Sequence, residues 1–369
     1  MKKSIFLFIT CSTLMVGCKK DPPFTGEPNP KDPDSLYVST PYTLPALINS
    51  GLRYRKIVSP TDNPLTNEGV QLGRMLFYDP VLSADSTVSC ASCHKQQHGF
   101  GDNVDFSTRV FGQKTPRHAS TLVNQGMDKR FFWDGRTTTI ELAVEDALNG
   151  EQSFTFATSY GRLKNQVRYT TLFKKAFGRP GEITETNINK AIAQFLRSIV
   201  SINSKYDLSL IGQYTLTADE IAGKDLFMTE KGDCFHCHAD GPFQTFSNQI
   251  QLFANNGLDS VSSANDFKDF GLGGFTKNQF DNGRFKIPTL RNIEKSAPYM
   301  HDGRFKTLEE VVDFYSSGVK RAPTTDPLMT HAGQGGIQLT ATEKGQLIAF
   351  LKTLTDVGFE TNPAYSNPF

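Results

Sequence analysis

A single tryptophan stands among 369 residues, and cysteine and histidine are nearly as scarce, at six and seven. A surplus of either charge is missing: Lys+Arg number 39 and Asp+Glu 38, for a formal +1. Without a basic excess the chain has little to hold a phosphate backbone, so nucleic acid is set aside as a partner. No apolar run reaches the roughly 20 residues that a membrane-crossing helix needs. Hydrophobic residues at 38% and charged ones at 21% exclude both a multi-span membrane protein and a disordered acidic chain. The abundant aromatic is phenylalanine, at 29, and the length accommodates two ordinary domains.

The start of the chain reads as a leader. Met1-Lys2-Lys3 is basic, Ile5 to Val16 is a short apolar run, and Gly17 precedes Cys18. Leu14-Met15-Val16-Gly17-Cys18 has the form of a bacterial lipobox, with Met15 where an aliphatic is usual. Residues 1–17 would be a lipoprotein signal peptide, and an acylated Cys18 would anchor the protein to a membrane from the periplasm without spanning it. An ordinary cleaved signal with Cys18 incidental is the alternative. Residues 18–45, rich in Pro, Asp, Thr and Ser, read as a flexible tether.

Cys11 and Cys18 belong to the leader, and the other four cysteines form Cys90-Ala-Ser-Cys93-His94 and Cys234-Phe-His-Cys237-His238. Cys-x-x-Cys-His is the attachment motif of c-type haem: two thiols bond the vinyl groups and the adjacent imidazole takes an axial iron position. A disulfide framework would need no trailing histidine, and a four-cysteine zinc site would leave both histidines without a role. Two covalently bound haem c groups are expected, held by Cys90, Cys93 and His94 and by Cys234, Cys237 and His238.

The two halves repeat. Gly73-Arg-Met-Leu-Phe77 precedes the first haem site and Gly223-Lys-Asp-Leu-Phe227 the second. Downstream, Thr121-Leu-Val-Asn124 and Trp133-Asp-Gly-Arg136 correspond to Thr289-Leu-Arg-Asn292 and His301-Asp-Gly-Arg304. Each Asp-Gly-Arg runs into a helical stripe, Ile140, Ala143, Val144, Ala147 in one half and Leu308, Val311, Val312, Tyr315 in the other. Ile188 to Val200 carries an apolar face, and Thr217-x-x-Glu220 and Thr340-x-x-Glu343 have capping-box spacing. The expected fold is mostly α: two related cytochrome c-like haem domains with long loops and the haem interface between them. The first spans 46–210, the second 211–357, and residues 358–369 form a tail.

A haem with two protein ligands mainly passes electrons, whereas one with an open position can bind peroxide or oxygen. At corresponding helical positions stand Ala147, whose methyl cannot bind iron, and Tyr315, whose phenol can. Tyr315 on an apolar stripe also reads as a core tyrosine, and Met300 is the competing ligand. His98 and His331 read as loop residues.

In these motifs the sequence resembles the bacterial di-haem cytochrome c peroxidases and their MauG-type relatives, over about residues 64–357. The landmarks are Gly73 to Leu82, both Cys-x-x-Cys-His sites, Phe132 to Arg136, Lys286 to Asn292 and Ala297 to Gly303. The resemblance implies that haem 1 is peroxidatic, that haem 2 admits or stores charge, and that Trp133 lies between them. It makes Tyr315, as in MauG-type members, the iron ligand of haem 2 beside His238, with His94 on haem 1. A loop histidine that caps the resting peroxidatic haem in many members is replaced by Val110. The acid/base glutamate matches Glu151, with Glu145 as the alternative. The family's inter-domain calcium is a poor match, because His118 stands where an asparagine ligand is usual.

Three functions compete. The leading one is a periplasmic peroxidase that reduces hydrogen peroxide with electrons from a small periplasmic cytochrome or copper protein entering at haem 2. The second is a MauG-type oxidant of a partner protein, and the third a non-catalytic electron-transfer cytochrome. The resemblance also implies a homodimer as the common assembly.

Overall fold

The computed structural model describes residues 40–46, 54–178, 182–239 and 252–369. The leader with Cys11 and Cys18 lies outside the described residues. Residues 40–45, which composition assigns to the tether, are fixed instead. Pro41 bridges Thr66, the Tyr42 amide donates to the Leu65 carbonyl at 3.1 Å, and Tyr42 packs on the first core.

The main helices of the first half are α1 (Asn67–Tyr78), α2 (Ile140–Glu151), α3 (Phe156–Lys164), α4 (Val167–Phe177) and α5 (Glu185–Ser198). Those of the second are α6 (Ala218–Phe227), α7 (Leu308–Asp313) and α8 (Ala341–Lys352). Thr66, Thr139, Thr184, Thr217, Thr307 and Thr340 each cap a helix by accepting an amide of its first turn. Both capping boxes read from the sequence form. The only sheet among the described residues pairs β1 (Phe253–Ala254) antiparallel with β2 (Phe285–Lys286).

The duplication is physical. On α1, a Cβ at Gly73 would lie 1.9 Å from the Ala191 carbonyl oxygen of α5; on α6, a Cβ at Gly223 would lie 1.8 Å from that of Gln346 on α8. Each helix pair therefore crosses at backbone contact, which only glycine permits. One turn on, Phe77 meets Phe195 with ring centroids 5.2 Å apart, and Phe227 meets Phe350 at 5.4 Å. Asn124 and Asn292, which end the matching Thr-Leu-x-Asn segments, share the left-handed conformation (φ 60° and 57°).

Two domain limits move. Tyr206, placed by sequence in the first domain, belongs to the second core, and neighbouring Asp207 is held by fully buried Arg291 at 2.5 and 2.8 Å. The segment 358–369 is not a free tail: Phe359 and Tyr365 are buried in the first domain's core.

Candidate functional site

Each attachment motif forms a single helical turn, Cys90–Cys93 and Phe235–His238, beside its own cavity. The four cysteines make no disulfide. Burial pushes the thiol of Cys93 up to about 11 and those of Cys90, Cys234 and Cys237 to about 12.

The two histidines that end these turns are prepared in the same way. The Nδ1 of His94 lies 2.8 Å from the Phe100 carbonyl oxygen, and that of His238 lies 3.2 Å from the Pro288 carbonyl oxygen. A carbonyl only accepts, so each Nδ1 carries the proton and leaves the Nε2 lone pair free for a metal. Burial lowers both imidazole pKa values, that of His238 to about 4, and keeps the rings neutral.

The cavity of the first half measures about 190 Å³ and that of the second about 220 Å³. Trp133, His118, Lys286 and Thr289 line both, so they form the partition. The Trp133 indole donates to the His118 carbonyl at 2.9 Å, and the Trp133 carbonyl accepts from the Lys286 amide at 2.8 Å. The His118 amide in turn donates to the His301 carbonyl at 2.8 Å, tying the halves together. Arg117 adds a cross-tie, bonding Asp134 at 2.6 Å and Asp269 at 2.7 and 2.8 Å.

The distal walls differ. Ala147 and Glu151, both on α2, line the first cavity. The Glu151 Oε2 is buried with no hydrogen-bond partner, and desolvation raises its pKa above the ordinary value despite nearby Arg109 and Arg136. Glu145 is exposed and does not line the cavity. Six residues before Glu151 on a helix, it falls on another face, so the structure does not bring it to the site.

In the second half α7 gives way at Phe314 to a π-helical turn through Gly318, and this turn carries Tyr315 into the cavity wall. Burial raises the phenol to about 12. Met300 lines the same cavity, and the Asn256 amide bonds Tyr315 Oη at 3.1 Å while lying 3.6 Å from Met300 Sδ. His331, read from sequence as a loop residue, also lines this cavity. His301 stacks on Phe285 with centroids 3.7 Å apart, and His236 bonds Asp233 at 2.6 Å.

Sequence reasoning passed over Asn256 and Gln152. The Gln152 amide lies 3.4 Å from Cys90 Sγ, and its Oε1 is buried without a partner. Neither lies in a motif, and Asn255-Asn256-Gly257 carries only a turn signal.

Apolar cavities, paired thiols and a neutral imidazole with free Nε2 fit a c-type haem in each half, and the first cavity adds an orphaned buried carboxylate oxygen. For calcium, the structure adds no ligand at the position of the family's asparagine. The His118 imidazole is committed through Nδ1 to the Val104 carbonyl at 3.0 Å and offers nitrogen where a hard cation takes oxygen.

Comparisons with known proteins find di-haem relatives. A family model described as di-haem cytochrome c peroxidase matches residues 67–215. The methylamine utilization protein MauG of Methylorubrum extorquens is 32% identical over 308 residues, which cover 82% of each chain. The cytochrome c551 peroxidase of Nitrosomonas europaea is 34% identical over 315 residues, 83% of this chain and 84% of that one. The crystal structure of a MauG-like protein associated with microbial copper homeostasis superposes with a TM-score of 0.75. It is 35% identical, and the match covers 85% of this chain and 98% of that one.

Proposed function

The chain belongs to the di-haem cytochrome c peroxidase and MauG family, and on that premise we propose that it reduces hydrogen peroxide to water in the first cavity. Each peroxide takes up two electrons and two protons and leaves as two waters. The electrons enter through the second half from a small exported cytochrome or copper protein. When bound, haem supplies an iron face for the oxidant and a redox centre that exchanges electrons.

The observation that carries this reading is the contrast between the distal walls, Ala147 over the first cavity and Tyr315 over the second. The Ala147 methyl leaves room for a small oxidant, while the Tyr315 oxygen would help hold the haem of the second half. Glu151 would move a proton from one peroxide oxygen to the other, the transfer a positioned carboxylate performs. Its Oε2 is unengaged and free to do so. Trp133, in the partition, carries electrons between the halves. With Val110 in place of a capping histidine, the first site needs no reductive opening.

Export and a lipid tether at Cys18 complete the proposal. No helix among the described residues is long and apolar enough to cross a membrane.

Electron paramagnetic resonance of the resting ferric protein tests it. A high-spin signal from haem 1, a low-spin signal from haem 2 and a Soret change on adding peroxide are expected. Two low-spin haems indifferent to peroxide would overturn the reading.

The presence of Tyr315 on the second cavity favours a second reading, a MauG-type oxidant that stores two oxidising equivalents across both haems and modifies a partner protein. Slow turnover with cytochrome donors and a long-lived oxidised state after peroxide would select it.

A further inference from the structure

Asn256 follows β1 in a turn whose backbone is fixed on both sides. The carbonyl of buried Asn255 accepts the Asp326 amide at 2.9 Å, and its side chain donates to Thr324 at 3.0 Å. The Gly257 amide donates to Asn255 Oδ1 at 3.0 Å, and the Gly257 carbonyl accepts the Lys320 amide at 2.8 Å. The side chain of Asn256 thus enters the second cavity from a rigid base. There its Nδ2 donates to Tyr315 Oη at 3.1 Å and lies 3.6 Å from Met300 Sδ. Phenol and thioether are the two iron-donor candidates that the sequence singled out, and one amide group addresses both. The amide nitrogen is no competitor, because its lone pair is delocalised.

We propose that Asn256 is a positioning residue for haem 2, aiming the Tyr315 oxygen at the iron and setting the reduction potential by donating to that oxygen. The proposal rests on the reading of Tyr315 as the ligand. On losing its proton to bind iron, the phenol keeps a lone pair for the amide, and a hydrogen bond to an ionised oxygen is roughly twice as strong as a neutral one. Charge drawn toward the N–H is withheld from iron, so ferric haem 2 is less stabilised and its potential lies higher than without the bond. A thioether is a weak acceptor, so the bond to oxygen dominates the effect.

The test is Asn256→Leu in the haem-loaded protein, made in a Met300→Leu background so that sulfur cannot replace oxygen. Asn256→Ala in the same background is the second variant should Leu impair folding. Potentiometric titration and resonance Raman are the readouts. Relative to Met300→Leu alone, the haem 2 potential is expected to fall and the phenolate-to-iron absorption band to move to longer wavelength, with haem 1 unchanged. If potential and band stay put, Asn256 has no such role. Tyr315→Phe separates the two failures: it should abolish the band, and if it leaves the spectrum of haem 2 intact, the ligand reading itself falls.

Discussion

Glu151 sits on the last turn of α2, one turn beyond Ala147, where its carboxyl reaches the first cavity. Burial without a compensating bond raises its pKa above the ordinary 4.5. As the base it must be ionised, so the rate should rise with pH through that raised pKa. The acid limb of the pH–rate profile therefore lies above 4.5. Glu151→Gln should lower peroxide turnover by about 10²–10⁴-fold and erase the limb, measured by stopped-flow. Stability follows the same sign: the folded state holds the proton more tightly, so stability declines as pH rises from 4.5 through the raised value. The glutamine variant should lack that decline. Glu151 was legible only through family resemblance, since an isolated glutamate near a helix end has a solvent-exposed default. Asn256 was not legible at all, because its role depends on β1 and the π turn meeting in space.

The π turn from Phe314 to Gly318 is the element on which the two halves part. Sequence periodicity places Leu308, Val311, Val312 and Tyr315 on one α-helical stripe, and the apolar period is right. What it cannot register is the widening of the helix after Asp313, since one π turn barely alters an apolar count. The cause lies elsewhere in the chain. Ile337 and Gln338 donate their amides to the carbonyls of Tyr315 and Ser316 at 3.0 and 2.9 Å. Gly336 makes this approach possible: its φ is 136°, and a Cβ there would sit 2.3 Å from the Tyr315 carbonyl oxygen. Gly336→Ala should therefore push the turn away and alter the spectrum of haem 2 while leaving haem 1 untouched, checked by resonance Raman of both centres. The matching helix of the first half, α2, runs on regularly through Ala147. By contrast, the α1–α5 and α6–α8 pairs were legible, because the repeated glycine and phenylalanine sit four residues apart in both copies.

At the scale of the whole molecule, the halves are laced together at two places, the final segment of the chain and the partition. The final segment of the chain returns to the first domain. The Gln96 side chain donates to the Phe359 and Asn362 carbonyls at 2.9 and 3.0 Å, and Arg74 donates to those of Pro363 and Ala364 at 2.8 and 3.0 Å. Phe100, whose carbonyl receives His94, packs against Phe359 and Tyr365 at centroid distances of 5.9 and 6.3 Å. Composition alone gave no hint of this, since a short polar end with three aromatics looks like a tail. Phe359→Ala should cost about 3–5 kcal/mol, the usual loss for a buried phenylalanine. Hydrogen exchange around residues 96–100 should rise with it.

The second place is the partition itself, and there the prediction concerns electrons. Trp133 is held at both ends, its indole by the His118 carbonyl and its own carbonyl by the Lys286 amide, so its ring cannot drift from the wall between the cavities. His118 and Lys286 belong to opposite halves, which makes the ring's placement a property of the assembled pair of domains. Trp133→Phe keeps an aromatic in place but removes the N–H anchor and the more readily oxidised indole. Peroxide should then still perturb the Soret band of haem 1, while oxidation of pre-reduced haem 2 slows, followed by stopped-flow absorbance. Unchanged transfer from haem 2 would mean that electrons cross the partition without Trp133.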